Sequence, residues 1–485
     1  MAYITHTTNP TDVSNRCIKK ITIKVVIFIT IVFQLSIPFL SVMSNLENIH
    51  TQIISLVRKP LSLQIATFLK YLAVFLLCVV ITLFMYIRVK YQFWNAQPVF
   101  HIYDIYYYLF PPGVIRYELP DKNKFCNFVN IQTIPYSSAS ELQIDTLISF
   151  TRKHYLANKE NTFSPTRENI APYFTGHHCE SFITIYTEPK LLMDTKTNTT
   201  IESANTVSVM TSRPIHVSIN NGDKDAYFTA YYVDYLCVDS SFRKKGIAPQ
   251  MIQTHEYNQR HANKKVVVSL FKREGELTGI VPLCVYSSYG YDFSKYSHTF
   301  INNTTSLPSS LNVVKIEVKS MYLLIDFMKS RQSMFDIVCV SETSNLVELV
   351  KTQNMYCYVV IENHVVLHAY FFRKTCTFME KGVEALSCIA SIKGVDRKSM
   401  LINTNTNTNN NDLSIFVSGY KTAITKIQSL YPAFTYMVIE NVSDNHILVK
   451  EINRGCEPDI VHPTAYFFYN FAYRSFSPQK VLIIN

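Results

Sequence analysis

Arg243, Lys244, Lys245, Gly246, Ile247 and Ala248 follow an apolar run at residues 231–238, and a segment of helical spacing through Gln250, Met251 and Ile252 comes next. A strand that feeds a basic, glycine-containing loop opening a helix is suited to anions. The first amides of the helix point outward, its dipole favours negative charge, and small residues let a pyrophosphate approach closely. The competing reading is a basic strand-to-helix turn with no ligand, because glycine-basic loops are common. No serine or cysteine with a suitable partner stands out as a nucleophile, which fits direct group transfer without a covalent intermediate. His177, His178 and Cys179 bring three metal-ligand types together.

Those residues need a scaffold, and the patterning predicts one. Residues 141–155 have helical spacing. Strands are expected at 182–186, 206–219 and 226–238, the last two joined by the turn Asn220-Asn221-Gly222-Asp223. A helix over 248–261 and a strand over 265–271 complete a strand–strand–strand–helix–strand order. The polar stretch 302–312 reads as a boundary, after which the order begins again. A helix is expected at 321–330, a hairpin of 356–361 with 365–372 around Glu362-Asn363-His364, and a strand at 385–392. Residues 101–135 are rich in Tyr and Pro and predict an irregular wrap. The tract 403–412 is of low complexity and predicts a solvated loop.

A chain of 485 residues exceeds one typical core, so two domains with appendages are expected. Hydrophobic residues make up 48% and mean hydropathy is +0.06, with the excess gathered at the N-terminus. The runs 25–43 and 71–87 each approach the ~20 residues that cross a bilayer. No small-residue cleavage site follows the first and a second run comes soon after, which argues against a cleaved signal peptide. Buried helices are the other alternative. Basic residues flank both runs with little asymmetry, and a hairpin leaving both chain ends in the cytosol is the expected arrangement. The net charge of +10 suits an anionic partner such as acyl-CoA or a phospholipid headgroup. No basic run interleaved with aromatics points to nucleic acid, which is not expected as a partner. Eleven scattered cysteines without a CxxC pair predict reduced, mostly buried thiols.

The spacing Arg-x-x-Gly-x-Ala at 243–248 resembles the acyl-CoA pyrophosphate loop of the GNAT superfamily. Three segments resemble one narrower family, the N-myristoyltransferases (glycylpeptide N-tetradecanoyltransferases). The first is Leu236-Cys237-Val238 with the Arg, Lys, Ala and Pro that follow. The second is Tyr91-Gln92-Phe93-Trp94-Asn95-Ala96-Gln97-Pro98-Val99. The third is the closing Tyr466-Phe467-Phe468-Tyr469-Asn470-Phe471 with the apolar run 481–484. They stand in the family's order across residues 90–485. The resemblance implies an α/β (α+β) fold of two tandem GNAT-like acyl-CoA N-acyltransferase units. Here these would be an acyl-CoA-binding half at 91–300 and a peptide-binding half at 301–485. A membrane anchor at 1–90, with two transmembrane helices at about 25–43 and 71–87, would precede them. The implied activity moves a tetradecanoyl group from myristoyl-CoA to the N-terminal glycine of a peptide or nascent protein. Myristoyl-CoA is then a co-substrate and not a permanently bound cofactor. The enzyme would be a monomer, membrane-anchored with its catalytic region facing the cytosol. The family has a similar His-Cys at His178-Cys179 without a metal, so a structural role is implied and no metal is expected.

The resemblance also assigns roles. Main-chain amides of Tyr235 and Leu236 would stabilise charge on the thioester oxygen, where one donor typically contributes ~3 kcal/mol. The carboxylate of Asn485, at the chain's own end, would take the proton. The wholly apolar run 481–484 supports a buried end, since most termini are polar and frayed, and desolvation raises a carboxylate's proton affinity. Tyr91, Gln92, Phe93 and Trp94 would surround the nucleotide, and Val238 and Arg243 to Ala248 the phosphates. Glu160, Phe163 and Tyr289 would meet the peptide, with 438–450 shaping its site. That side departs from the pattern: only Glu160 and Phe163 match an acidic-aromatic run, the segment near 286–291 lacks a histidine, Val438 replaces an asparagine, and a glycine is absent between Val481 and Leu482. Two alternatives stay open. One is a GNAT acyltransferase with another acyl chain or amine; the other is a membrane-bound, catalytically weak protein that binds acyl-CoA or an acylated peptide.

Overall fold

The computed structural model describes residues 61–156, 161–194, 199–220, 226–275, 279–296, 307–379, 382–394 and 408–485. The chain divides into two compact units, Met1–Val89 and Lys90–Asn485. The first is described by helix α1 (Leu61–Lys90). Within it Ile65–Val89 is long and apolar enough to cross a bilayer, and none of its most apolar stretch is buried. The run expected at 71–87 lies in this helix, whereas the run at 25–43 lies outside the described residues. Among the described residues this is one such helix, not the pair the sequence suggests.

The second unit is built on a single 15-stranded sheet. In chain order its first strands are β1 (Ile131–Pro135), β2 (Thr162–Phe163), β3 (Phe182–Asp194), β4 (Thr199–Ile219), β5 (Ala226–Val238), β6 (Val268–Glu274) and β7 (Cys284–Asp292). Then come β8 (Leu311–Lys315), β9 (Ile337–Val340), β10 (Met355–Glu362), β11 (Val365–Phe378), β12 (Glu384–Lys393), β13 (Tyr436–Glu440), β14 (Ile460–Tyr469) and β15 (Val481–Ile484). The longer helices are α2 (Glu141–His154), α3 (Ile247–Ala262), α4 (Met321–Arg331), α5 (Thr343–Lys351), α6 (Thr408–Leu430) and α7 (Asn445–Ile452).

Across the sheet the order is β15-β9-β4-β5-β6-β14-β7-β13-β12-β11-β10-β8, with β3 on β4, β1 on β3 and β2 on β11. Strands β4 and β5 pair antiparallel as expected, with Ile219 opposite Ala226, and the expected turn residues 221–223 lie outside the described residues. Helix α3 carries the chain from β5 to its parallel neighbour β6. The second hairpin turns through Asn363 and His364 at φ of 47° and 66°, the pair of positive dihedrals that a type I′ turn requires. Helix α2 starts at a capping box in which Ser140 and Gln143 satisfy each other's amides. The halves interleave: β14, from the second, lies between β6 and β7 of the first, and β9 joins β4 to β15.

Three expectations are corrected. Helix α6 begins inside the tract read as a loop, because Ile415, Phe416, Tyr420, Ala423, Ile424 and Ile427 recur at helical spacing and are buried in the largest core cluster. Leu311 and Asn312, assigned to a boundary, belong to edge strand β8, which pairs with β10 and turns Leu311 and Val313 inward. Strand β6 starts three residues later than its pattern suggests, because Lys264 and Lys265 form a turn after α3. Among the described residues the cysteines are free thiols and most are buried.

Candidate active site

The site is made where β5 and β6 separate. Their ladder runs from Ala230 opposite Val268 to Val233 opposite Phe271 and stops there. Beyond it β6 stays against β14 and β5 against β4. Strand β5 also bulges at this point. Its register passes from Thr211 opposite Asp234 to Val209 opposite Cys237, and Tyr235 takes a φ of 51°. The extra residue leaves Tyr235 and Leu236 outside the regular ladder, as a bulge does when it re-aims backbone groups.

The gap opens into a cavity of about 630 Å³, of a size that takes a small-molecule ligand. Asp234, Tyr235 and Leu236 line it from β5, and Lys272, Arg273 and Glu274 from β6. Trp94, Tyr155, Phe163, Tyr173 and Phe271 supply aromatic wall, and Arg373, Val438 and Glu440 come from the second half of the chain. The sequence-derived residues Tyr235, Leu236, Trp94 and Phe163 are therefore brought together. Trp94 stacks on Phe271 with ring centres 5.8 Å apart, and buried Phe93 supports it edge-on at 5.0 Å. Tyr91 caps the short turn Gln92–Asn95, and neither Tyr91 nor Gln92 reaches the cavity wall.

The basic loop has the geometry its spacing suggests. Val238 ends β5, Ser240–Phe242 forms one 3-10 turn, and Lys244 and Gly246 adopt φ of 64° and 76° before Ile247 opens α3. Gly246 makes that turn without strain, having no Cβ. Ile247 and Ala248 offer the free amides of the helix start, since Pro249 has none. Arg243 to Gly246 are exposed. Arg243 folds back so that its Nε donates to the Val238 carbonyl at 3.3 Å, and Lys245 rests over the Phe242 ring. None of the six loop residues lines the cavity; the loop lies just past Leu236 along the chain.

Two peptide-side residues fare differently. Glu160 lies outside the described residues. Tyr289 is turned from the cavity. It sits opposite Ile439 and packs on the cluster around Tyr291 and Phe293, while its neighbours Ser288 and Gly290 line the wall. Alternation along β7 puts one parity inside and the other out.

Asn485 follows β15, which runs parallel to β9, and is only 2% exposed. The Ser341 amide donates to the Ile484 carbonyl at 3.0 Å. The Asn485 side-chain nitrogen is buried without a hydrogen-bond partner, and Asn485 is not among the residues that line the cavity, whereas Tyr232 is. Two rings, Tyr173 and Tyr232, sandwich the Arg213 guanidinium at 4.9 and 4.7 Å, and its Nη1 lies 3.2 Å from Asp234 Oδ2. Asp234 Oδ1 accepts the Tyr235 amide at 2.9 Å. In this structure the adjacent carboxylate takes the Tyr235 amide.

Charges missed in the sequence complete the wall. Glu440 accepts from Lys272 Nζ at 3.0 Å and from the Tyr286 hydroxyl at 2.6 Å. Burial alone would push its carboxyl up, but Lys272, Arg373 and the Tyr286 hydrogen bond outweigh that and hold it below the ordinary range. Glu256 behaves oppositely: burial pushes it up to about 7 against the pull of Arg260 and Ser269. Beside it, burial lowers His255 to about 4, so the imidazole is neutral. The phenols of Tyr155 and Tyr235 are raised by burial and the Asp234 charge, and stay protonated.

His178 joins partners other than Cys179. Its Nδ1 lies 2.7 Å from Glu342 Oε2, and Glu342 Oε1 lies 3.6 Å from His216 Nε2. These three could hold a metal ion by composition, their ligand atoms lying within 4.8 Å of one another. The carboxylate already accepts both the ring and the amide of His178. The cluster thereby pins the 175–178 loop to the start of α5, where Asn345 also holds the carbonyls of Pro172 and Thr175.

No protein-family model matches the chain, and no curated protein sequence matches it either. Solved structures do. A crystal structure of Saccharomyces cerevisiae N-myristoyltransferase with bound myristoyl-CoA aligns with a TM-score of 0.60, covering 81% of this chain and 99% of that one at 11% identity. A structure of the yeast enzyme with bound myristoyl-CoA and inhibitors gives 0.60, covering 80% and 91%, again at 11% identity. The chain therefore has the mixed α/β fold of an acyl-CoA N-acyltransferase. The likeness is to N-myristoyltransferase, and at 11% identity it is a likeness of fold.

Proposed function

We propose that this protein is an N-acyltransferase that moves a tetradecanoyl group from myristoyl-CoA to the N-terminal glycine of a peptide or nascent protein. The observation that carries the reading is the separation of β5 from β6 at a bulge, which opens a cavity against Tyr235 and Leu236. The glycine nitrogen attacks the thioester carbonyl carbon, and charge gathers on the carbonyl oxygen. The Leu236 amide would meet that charge, joined by the Tyr235 amide once Asp234 releases it. The Asn485 carboxylate takes the amine's proton, the C–S bond breaks, and CoA leaves as a thiolate that is then protonated. The start of α3 with Arg243, Lys244 and Lys245 holds the phosphates, and Trp94 packs against the bound CoA. Residues 91–300 would serve as the acyl-CoA half and 301–485 as the peptide half.

Phe163 and the unplaced Glu160 would meet the peptide. Helix α1, joined by the run at 25–43, would anchor the enzyme with its catalytic region in the cytosol, working as a monomer. The Asp234 hold on the Tyr235 amide favours a second reading, an acyl-CoA-binding protein with weak turnover.

The test uses the unit Lys90–Asn485, which has its own core, with radiolabelled myristoyl-CoA and peptides bearing N-terminal glycine. Transfer that falls by roughly 10²–10⁴-fold on removal of Asn485, with acyl-CoA binding kept, supports the enzyme and its base. Binding without transfer to any peptide supports the second reading.

A further inference from the structure

The segment after Ile102 is shaped unlike the rest of the surface. Ile105–Leu109 is one helical turn of sequence IYYYL, followed by Phe110. Ile102, Ile105, Tyr106, Tyr108, Leu109 and Phe110 all stand in solvent, with Ile105 74%, Leu109 69% and Phe110 61% exposed. At ~150–250 Å² for a large side chain, the six present on the order of 700 Å² of mainly apolar surface. Soluble monomers rarely leave that much contiguous and uncovered.

The segment is also held in place. Buried Phe100 packs against the rings of Tyr107 and Tyr108 at 5.8 and 4.7 Å. The Tyr103 hydroxyl donates to Asn95 Oδ1 at 2.6 Å, and the Ile102 amide to the Gly279 carbonyl at 3.1 Å. Asp104, the nearest charge, accepts the His101 amide at 2.9 Å. A frayed loop would carry none of this, so the fold presents a preformed apolar ridge.

We propose that this ridge is a bilayer-docking surface, seating its Ile, Leu and Phe side chains at the headgroup–acyl boundary. Composition favours lipid over a protein groove: Tyr beside Ile, Leu and Phe with no charge from Ile105 to Phe110 is the interfacial mixture, apolar at one end and wet at the other. Continuity favours it as well. The chain between Val89, where the apolar helix ends, and Ile102 can reach at most roughly 45 Å. The proposal goes beyond the reading of α1 as a membrane helix, adding a second, independent lipid contact on the catalytic unit itself. Docking would hold that unit at the surface where an acylated product partitions.

The experiment separates the two contacts. The unit Lys90–Asn485, lacking α1, is sedimented with phosphatidylcholine vesicles with and without phosphatidylserine, and its size is measured without lipid. A Leu109→Ser/Phe110→Ser variant serves as comparison, its thermal midpoint confirming the fold. The expected result is a monomer that binds both vesicle types, weakened roughly tenfold to a hundredfold in the variant. Three results overturn the proposal: no vesicle binding by the unit, equal binding by the variant, or a dimer that the variant dissolves. If the full chain stays with membranes after carbonate extraction while the unit does not bind, α1 stands and the ridge falls. If the unit binds and the full chain is extracted, the ridge stands and the spanning reading of α1 falls.

Discussion

Glu256 gives the sharpest prediction. It lies on α3, buried at the cavity wall, and desolvation pushes its carboxyl from an ordinary 4.5 up to about 7, despite the opposing Arg260 and Ser269. Unfolding returns it to water and to 4.5. The native state therefore holds this proton more tightly, so its advantage is complete below pH 4.5 and is lost as pH rises through about 7. At 1.36 kcal/mol per pH unit the full effect is about 3 kcal/mol, of which about 2–3 falls between pH 5 and pH 8. Glu256→Gln keeps the volume and cannot ionise. Urea unfolding of the unit Lys90–Asn485 at pH 5 and pH 8 should show the native protein losing about 2–3 kcal/mol more than the variant across that interval, and the variant should be the more stable at pH 8. Parallel pH dependences for the two proteins would refute the argument, since Glu256 would then be charged at no cost in the fold.

The Lys272–Glu440 pair makes a second case: Lys272→Met should destabilise by about 3–5 kcal/mol in urea by stranding a buried carboxylate, and adding Glu440→Gln should restore most of it. Two glycines with nearly the same φ should differ. Gly246→Ala meets nothing within 4 Å and should cost about 1–2 kcal/mol in backbone strain, measured by thermal unfolding. Gly176→Ala carries the same strain and also drives a Cβ to 2.9 Å from the backbone of Ser344 and Asn345, so its midpoint should fall further.

What the sequence discloses and what it withholds follows the range of the forces involved. The loop from Val238 to Ala248 was legible because its signals are local: a strand end, a glycine with positive φ and a helix start within a dozen residues. The Asn363-His364 turn was legible for the same reason. Helix α6 was missed because its first turn is Asn-rich and its apolar period starts only after Asp412. The facing of Tyr289 depends on the register of β7 against β13 and β14, partners far away in sequence. Asp234, Lys272 and Glu440 each ended or interrupted an apolar strand and drew no attention alone. A charge in an apolar run is itself a signal, since burial demands a partner, but the partner's identity was a matter of tertiary structure.

The interleaving of β14 between β6 and β7 bears on how the chain reaches this state. The β6–β14 and β4–β9 pairings close chain loops of roughly 190 and 120 residues, so the contact order is high and collapse of either half alone leaves an empty slot in the sheet. Folding should accordingly be slow and cooperative across the whole second unit. A chain severed between β7 and β8 should yield two fragments that are unfolded apart and recover structure only on mixing, which makes the protein a natural subject for fragment complementation.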